Sequence, residues 1–294
     1  MTAGIDLARG LLGAAHVGDG PTPEQAGLVQ NLLHGYFGDD TDIADLQPLE
    51  ADELASVVDE ADRSRFVDLL VVIEFCRHPG IAAQADRVED HARALGVDEP
   101  FLLVARDALA AGHAEVMADW ARFREPEAVE PGVEGLDPAL GARLRALGEC
   151  PAGSLGRAYF DFYERWGLAF PGEPGGGDLG LVVHDFSHVL AGYDADGPSE
   201  LALQAMLTAA TGFDHHFSGL VASLSLYEAG KFEILDIEAK VGALDRPGAA
   251  AELADAFRRG AACTCDFSAI DHLARVDDPL DAVRADCGIT PRSA

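Results

Sequence analysis

Residues 181–190 read LVVHDFSHVL, and their polar positions recur at helical rather than strand spacing. His184 and His188 are four residues apart, so a helix places both imidazoles on one face, with Cβ atoms roughly 5–6 Å apart. Leucine and valine at both ends of the stretch make the rest of the helix surface apolar. The sequence therefore predicts a helix that carries two neighbouring imidazoles in apolar surroundings.

An imidazole pair at this spacing suits a single divalent cation. Asp185 lies about 100° round the predicted helix from His184, near enough to supply an oxygen or to orient an imidazole. After a loop, Ser199 is a predicted N-cap that places Glu200 in the first turn of the next helix. Two nitrogens with one or two carboxylates suit zinc first, and also iron or manganese. A His pair at this spacing also occurs in helices that bind no metal, and that alternative stays open.

Helical spacing continues along the rest of the chain, which predicts an all-α protein. We expect helices near residues 23–36, 50–61, 63–77, 81–95, 100–122, 139–147, 154–166, 179–191, 199–211, 215–229 and 249–263. The helix at 63–77 is apolar on most sides and is expected to be the central helix of its bundle. Residues 232–235 show the one strand-like alternation, and we assign them to a helix.

A connector rich in proline and glutamate divides the chain at residues 125–137. Several prolines among like charges are typical of a stiff, solvated linker. The connector predicts two helical domains, an acidic N-terminal bundle over residues 1–124 and a C-terminal domain over residues 138–294.

The charge balance is strongly acidic, with 21 Lys+Arg against 51 Asp+Glu and a formal net charge of −30. Such a field repels phosphate backbones and argues against nucleic-acid binding. The longest apolar stretch, residues 69–73, is far shorter than the roughly 18 residues of a transmembrane helix. No signal peptide is visible, and the five cysteines are odd in number with no CxxC pair. We expect no transmembrane segment, no stapling disulfides, and a location in the cytoplasm or at the periphery of a membrane.

The pattern His184-Asp185-x-x-His188, followed after eleven residues by Glu200, resembles the signature of the Coq4 family of ubiquinone-biosynthesis proteins. Residues 153–159, GSLGRAY, resemble the family's entry to its first core helix. The resemblance covers about residues 138–290. Ser199 stands where the family usually has Gly, and Gln204 stands where Lys is frequent; these differences concern substrate contacts more than metal ligands.

That resemblance implies an α-helical domain with a divalent metal beside a hydrophobic groove for an isoprenoid tail. It implies a quinone-like lipid as the ligand, and a homodimer or a complex with biosynthetic enzymes. The implied reaction is a metal-dependent oxidative decarboxylation, which replaces a carboxylate by a hydroxyl at ring carbon C1. The implied metal ligands are His184, Asp185, His188 and Glu200. Candidate substrate contacts or supports for these ligands are Tyr159, Tyr163, Gln204 and His215.

Two other functions are weighed beside this one. The first is a non-catalytic lipid-binding scaffold with a structural metal, in which the N-terminal domain recruits partners. Residues 65–70 and 92–97 of that domain, RFVDLL and ARALGV, resemble the TerB-like tellurite-resistance helical domain. The second, ranked lower, is a zinc-dependent hydrolase, because HDxxH resembles the HExxH helix of zinc peptidases with Asp in place of Glu.

Overall fold

The structure is a computed structural model that describes residues 2–98, 101–102, 136–177, 179–213, 215–231 and 238–292. Within these ranges every regular element is helical and no strand occurs, so the all-α prediction is confirmed. None of the helices described there is both long and apolar enough to pass through a bilayer. Residues 232–235, nearly all of the connector at 125–137 and most of the predicted helix at 100–122 lie outside the described residues.

The described part of the first half contains five α-helices. These are α1 (Gly4–Ala15), α2 (Pro23–Asn31), α3 (Ala51–Val57), α4 (Arg63–Phe75) and α5 (Ala82–Leu95). Helix α2 begins with a capping box between Thr22 and Gln25. It continues into a π-helical turn, Leu32–Tyr36. Helix α4 is buried without interruption from Phe66 to Phe75, which confirms its predicted central position.

The described part of the second half contains seven α-helices. These are α6 (Pro138–Arg145), α7 (Leu155–Trp166), α8 (Leu179–Ala191), α9 (Gly197–Ala210), α10 (Phe217–Ser223), α11 (Ala249–Ala261) and α12 (Leu280–Asp286). Helix α8 packs against α7, α9 and α12, while α9 packs along α11. The last pair approach closely at Gly260, where a Cβ atom would lie 2.2 Å from the carbonyl oxygen of Met206. Glycine at this position therefore sets how near α11 can come to α9.

The two halves are in contact with each other. Helix α11 packs against α2 and the π-helical turn that follows it. His78, just after α4, reaches across to the fully buried Glu228, with 2.8 Å between Nε2 and Oε1. One cluster of buried apolar side chains runs from Leu7 in α1 to Ile289 near the C-terminus. The division into domains over residues 1–124 and 138–294 stays a prediction.

Candidate metal centre

Helices α8 and α9 bring the predicted ligands together. His184 and His188 lie one turn apart on α8, and their Nε2 atoms are 3.1 Å apart. Helix α9 has Asp196 as its N-cap, with its carboxylate accepting the backbone N–H of Ser199 at 3.0 Å. The prediction that Ser199 caps this helix is therefore wrong. Glu200 nevertheless lies in the first turn of α9, and its side chain returns to the two imidazoles of α8.

The carboxylate of Glu200 bridges both histidines. Its Oε2 atom lies 3.2 Å from the Nε2 atom of His184, and its Oε1 atom lies 3.2 Å from the Nε2 atom of His188. Among the described residues these three form the one group of His, Cys, Asp or Glu whose ligand atoms all lie within 4.8 Å of one another. Atoms bound tetrahedrally to zinc at about 2.0–2.1 Å are roughly 3.3 Å apart. The donor set and its spacing therefore fit a divalent cation.

The charges in this group support one another. Burial opposes protonation of His184, but the neighbouring Glu200 carboxylate outweighs it and raises the pKa of His184 to about 9. Burial likewise raises the pKa of Glu200, but the imidazoles of His188 and His184 outweigh it and hold that pKa far below its ordinary value. Glu200 therefore stays negative at neutral pH and can balance part of the charge of a cation.

One side of the group is open and the other is closed. The side chain of His184 is 28% exposed, whereas that of His188 is 1% exposed. The ring of Phe162 stacks on His188 with 5.7 Å between the ring centroids. The Nδ1 atom of His188 is buried and has no hydrogen-bond partner, so ring stacking orients this imidazole. Three protein ligands beside an open position are typical of catalytic zinc sites, whereas structural sites are closed by a fourth protein ligand.

Asp185 lies beside the group rather than in it. Its carboxylate accepts a hydrogen bond from the hydroxyl of Tyr163 on α7, and its oxygens are not among the three clustered ligand atoms. Burial raises the pKa of Asp185 although the neighbouring imidazoles of His184 and His188 lower it. The structure therefore places the carboxyl group of Asp185 beside the imidazoles and outside the three clustered ligand atoms, and its predicted role as a ligand stays a prediction.

The two predicted tyrosines form an aromatic wall next to Asp185. The ring of Tyr159 lies 4.8 Å from that of Tyr163 and stacks on Phe186 at 4.1 Å between centroids. Both tyrosines are buried. Burial, together with the nearby charge of Asp185, raises the pKa of both phenols well above the ordinary value. These hydroxyls therefore stay protonated, and the wall excludes water from the rear of the site.

The remaining two predicted residues lie elsewhere. Gln204 follows Glu200 by one turn of α9, and its amide oxygen faces α10, 2.5 Å from where a Cβ atom of Gly219 would lie. His215 is exposed, and its carbonyl accepts a hydrogen bond from the hydroxyl of Thr211 at 3.1 Å. Neither side chain belongs to the group of clustered ligand atoms.

Sequence reasoning missed two arginines that hold the C-terminal end of α8. Arg284 on α12 donates to the carbonyls of Leu190 and Val189, both at 2.9 Å. Arg259 on α11 donates to the carbonyl of Ala191 at 2.7 Å and is only 1% exposed. Cations at a helix C-terminus satisfy its last carbonyls and complement the helix dipole. One signal is visible in the sequence, since Arg259 shares the apolar face of α11 with Leu253 and Ala256.

The fold and site define an all-α protein in which His184, His188 and Glu200 converge beside an aromatic wall. No family model matches this chain, and no curated protein matches it. A solved structure from Nostoc punctiforme, named as a proposed ubiquinone biosynthesis protein, is similar over 76% of this chain and 97% of its own. Its sequence identity is 20% and its TM-score is 0.35, a level of similarity that carries no argument about function. The Coq4 and TerB-like relations therefore stay predictions.

Proposed function

We propose that this chain binds a divalent cation through His184, His188 and Glu200, and acts there on a prenylated aromatic acid of the quinone-precursor type. The observation that carries the proposal is the convergence of the three ligand atoms within 4.8 Å. Two imidazole nitrogens and a carboxylate that face one another present more lone pairs than hydrogens. A cation satisfies all three groups at once, and zinc, iron and manganese accept this donor set.

A bound divalent cation would supply a Lewis acid for a carboxylate or phenol oxygen of the substrate ring. The protein's own groups would set the approach and the polarity of the site. The exposed edge of His184 marks the side from which a substrate enters, because Phe162 covers His188. The wall of Tyr159 and Tyr163 keeps water from the opposite side, which favours an apolar aromatic substrate over a charged one.

The openness of the site favours an enzyme over a scaffold with a structural metal. A structural zinc is enclosed by four protein ligands, whereas three candidate ligand atoms meet here among the described residues and His184 is partly exposed. The quinone-type substrate is supported by the resemblance of about residues 138–290 to the Coq4 pattern.

The metal assignment is tested by elemental analysis of freshly purified protein. We expect wild type to hold a stoichiometric divalent metal and His184→Ala and His188→Ala to lose it, while circular dichroism stays unchanged. His16→Ala is the matched control, because His16 is exposed and distant in sequence from the site. Undiminished metal in both site variants would remove the ligand assignment.

The substrate class is tested by native mass spectrometry and by turnover of a prenylated hydroxybenzoate. We expect a retained apolar ligand, and a conversion that chelation or Glu200→Ala abolishes. If chelation unfolds the protein and no conversion occurs at any metal loading, the structural-metal scaffold is the better description. Metal-dependent cleavage of ester or peptide substrates in place of this conversion would instead favour the hydrolase.

A further inference from the structure

Three of the five cysteines lie near the C-terminus, in two segments that the fold brings side by side. Cys263 and Cys265 follow α11, and Cys287 follows α12. The N–H of Thr264 donates to the carbonyl of Cys287 at 2.9 Å, and its hydroxyl donates to the carbonyl of Asp286 at 3.3 Å. These bonds hold Cys287 beside Thr264, which is the chain neighbour of both Cys263 and Cys265.

Two of the three thiols also meet. The thiol of Cys265 lies close enough to that of Cys287 to contribute, after burial, to its raised pKa. The thiol of Cys263 instead donates to the carbonyl of Arg259 at 3.5 Å. Disulfides form between cysteines whose backbones lie side by side, with Cα atoms about 4.4–6.8 Å apart. Cys265 and Cys287 lie in two segments that are hydrogen-bonded to each other, and all five cysteines are free thiols in this structure.

We propose that Cys265 and Cys287 form a reversible disulfide that joins the end of α11 to the end of α12. The oxidant is a small-molecule disulfide, such as oxidised glutathione. The thiolate of Cys265 attacks one of its sulfurs, which forms a mixed disulfide and releases one thiolate. Cys287 then loses its proton and attacks the sulfur of Cys265, which releases the second thiol. Two S–H bonds are lost, one S–S bond forms, and the incoming disulfide is reduced to two thiols.

The surroundings of the two thiols explain why Cys265 attacks first and Cys287 second. Cys265 is partly exposed, so it can meet a dissolved disulfide, whereas Cys287 is only 2% exposed. Burial, together with the contact with the Cys265 thiol, raises the pKa of Cys287 to about 12. Because the thiolate is the nucleophile, Cys287 is suited to the second, intramolecular step.

The bridge would join the two helices that hold the end of α8. Arg259 belongs to α11 and Arg284 to α12, and both donate to the last carbonyls of α8. Oxidation would therefore link these two anchors covalently. The bridge itself needs no metal, so its test is independent of the proposed function.

The test equilibrates the full chain in glutathione buffers of increasing oxidised fraction, followed by alkylation without denaturant and peptide mapping. We expect a Cys265–Cys287 linked peptide that lacks two hydrogens and is released by dithiothreitol. Cys263→Ser is the matched control and should keep the bridge, because its thiol bonds elsewhere. Cys265→Ser and Cys287→Ser should both abolish the bridge. If Cys287→Ser does not fold, Cys265→Ser still provides the test, because Cys265 is partly exposed.

A second readout is thermal unfolding of the oxidised protein. We expect its midpoint to rise by several degrees over that of the reduced protein, and we expect no such rise in Cys265→Ser. Absence of the Cys265–Cys287 linked peptide at every buffer ratio would overturn the proposal. A bridge between Cys263 and Cys265, or a stable mixed disulfide at Cys265 that never resolves, would overturn it as well.

Discussion

Two groups in this molecule bring histidine against a carboxylate, and they differ in the number of imidazoles that share it. In the first, the imidazoles of His184 and His188 both contact the single carboxylate of Glu200, and their Nε2 atoms are 3.1 Å apart. In the second, the Nε2 atom of His216 lies 2.8 Å from Asp266, and the hydroxyl of Ser268 donates to the same carboxylate at 2.7 Å. The distances are alike, but in the second group one imidazole and one hydroxyl contact the carboxylate, each on its own oxygen.

The position of the second group in the fold agrees with a structural role. His216 stands at the N-cap position of α10 with a left-handed backbone (φ 67°). Asp266 belongs to the segment after α11 and also accepts the backbone N–H of Ser268 at 2.9 Å. Their contact ties the loop before α10 to the segment after α11. The comparison teaches that convergence of two imidazoles on one carboxylate, rather than closeness of a single His to a carboxylate, distinguishes the candidate metal centre.

The largest effect on metal affinity is expected at Glu200, and it tests the difference between the two groups most directly. The change Glu200→Gln keeps the shape of the side chain but removes its charge and one ligand oxygen, so we expect metal affinity to fall about 100-fold or more. Competition with a chromophoric chelator measures it. Asp266→Asn is the matched control in the second group and should keep wild-type affinity. Equal metal affinities for Glu200→Gln and Asp266→Asn would show that the two groups do not differ in metal binding.

A smaller effect on the same quantity is expected at Asp185. The change Asp185→Asn replaces a carboxyl group beside the imidazoles by an amide without removing any of the three clustered ligand atoms. We therefore expect metal affinity to fall about 10-fold, as it does when supporting groups of a metal site are changed. The same chelator competition reports it, with Tyr163→Phe as the companion variant that removes only the hydrogen bond to Asp185. A loss as large as that of Glu200→Gln would make Asp185 a ligand, as the Coq4 resemblance implies.

Substitutions in the second group are expected to lower the stability of the protein and to leave its metal content unchanged. Both His216→Ala and Asp266→Asn break a partly buried, charge-assisted hydrogen bond, which lowers the free energy of unfolding by about 1–2 kcal/mol. Urea denaturation measures the change, and elemental analysis of the same samples should show undiminished metal. Loss of metal from either variant would show that the two groups are not separate in role.

The smallest expected effect is a pH dependence of the stability that Asp266 contributes. Burial raises the pKa of Asp266, but hydrogen bonds from His216 and Ser268 outweigh it and lower that pKa to about 2, from an ordinary 3.8. A lowered pKa in the folded state gives stability that is complete above the unfolded value and is lost as pH falls through the folded value. The stability difference between wild type and Asp266→Asn should therefore narrow below about pH 4, by roughly half near pH 3. Urea titrations across this pH window measure the difference. A stability difference between wild type and Asp266→Asn that stayed constant would count against the lowered pKa of Asp266.

The sequence predicted most helices and the central pair of histidines because those features are local. Helix α8 was predicted at residues 179–191, and the structure has Leu179–Ala191. The start of α9 was missed because Pro198 is tolerated in a first turn, so the helix begins before it and Asp196 takes the cap. Helix α1 was not predicted, since Gly4, Gly10 and Gly13 lower its helix propensity. Burial of its leucines outweighs that propensity.

The rest of the site depends on packing between helices, which spacing along the chain does not reveal. The return of Glu200 to the imidazoles was predicted because a short loop joins α8 to α9. The contact between Tyr163 and Asp185 depends on how α7 lies against α8, and the sequence gives no local sign of that arrangement. The bonds from Arg284 to α8 cross about a third of the chain, so their partners could not be named from periodicity.

The anchoring of α8 has a consequence for how the chain folds while the ribosome synthesises it. Arg259 is itself fixed by the carbonyl of Thr290, which accepts from its Nε at 3.1 Å and from its Nη2 at 2.7 Å. Because chains emerge from the ribosome N-terminus first, the histidine helix is made long before either of its two clamps. Its final carbonyls must stay hydrated until α11 and α12 have followed and packed against α8, so this end of the histidine helix is completed after those two helices have been made.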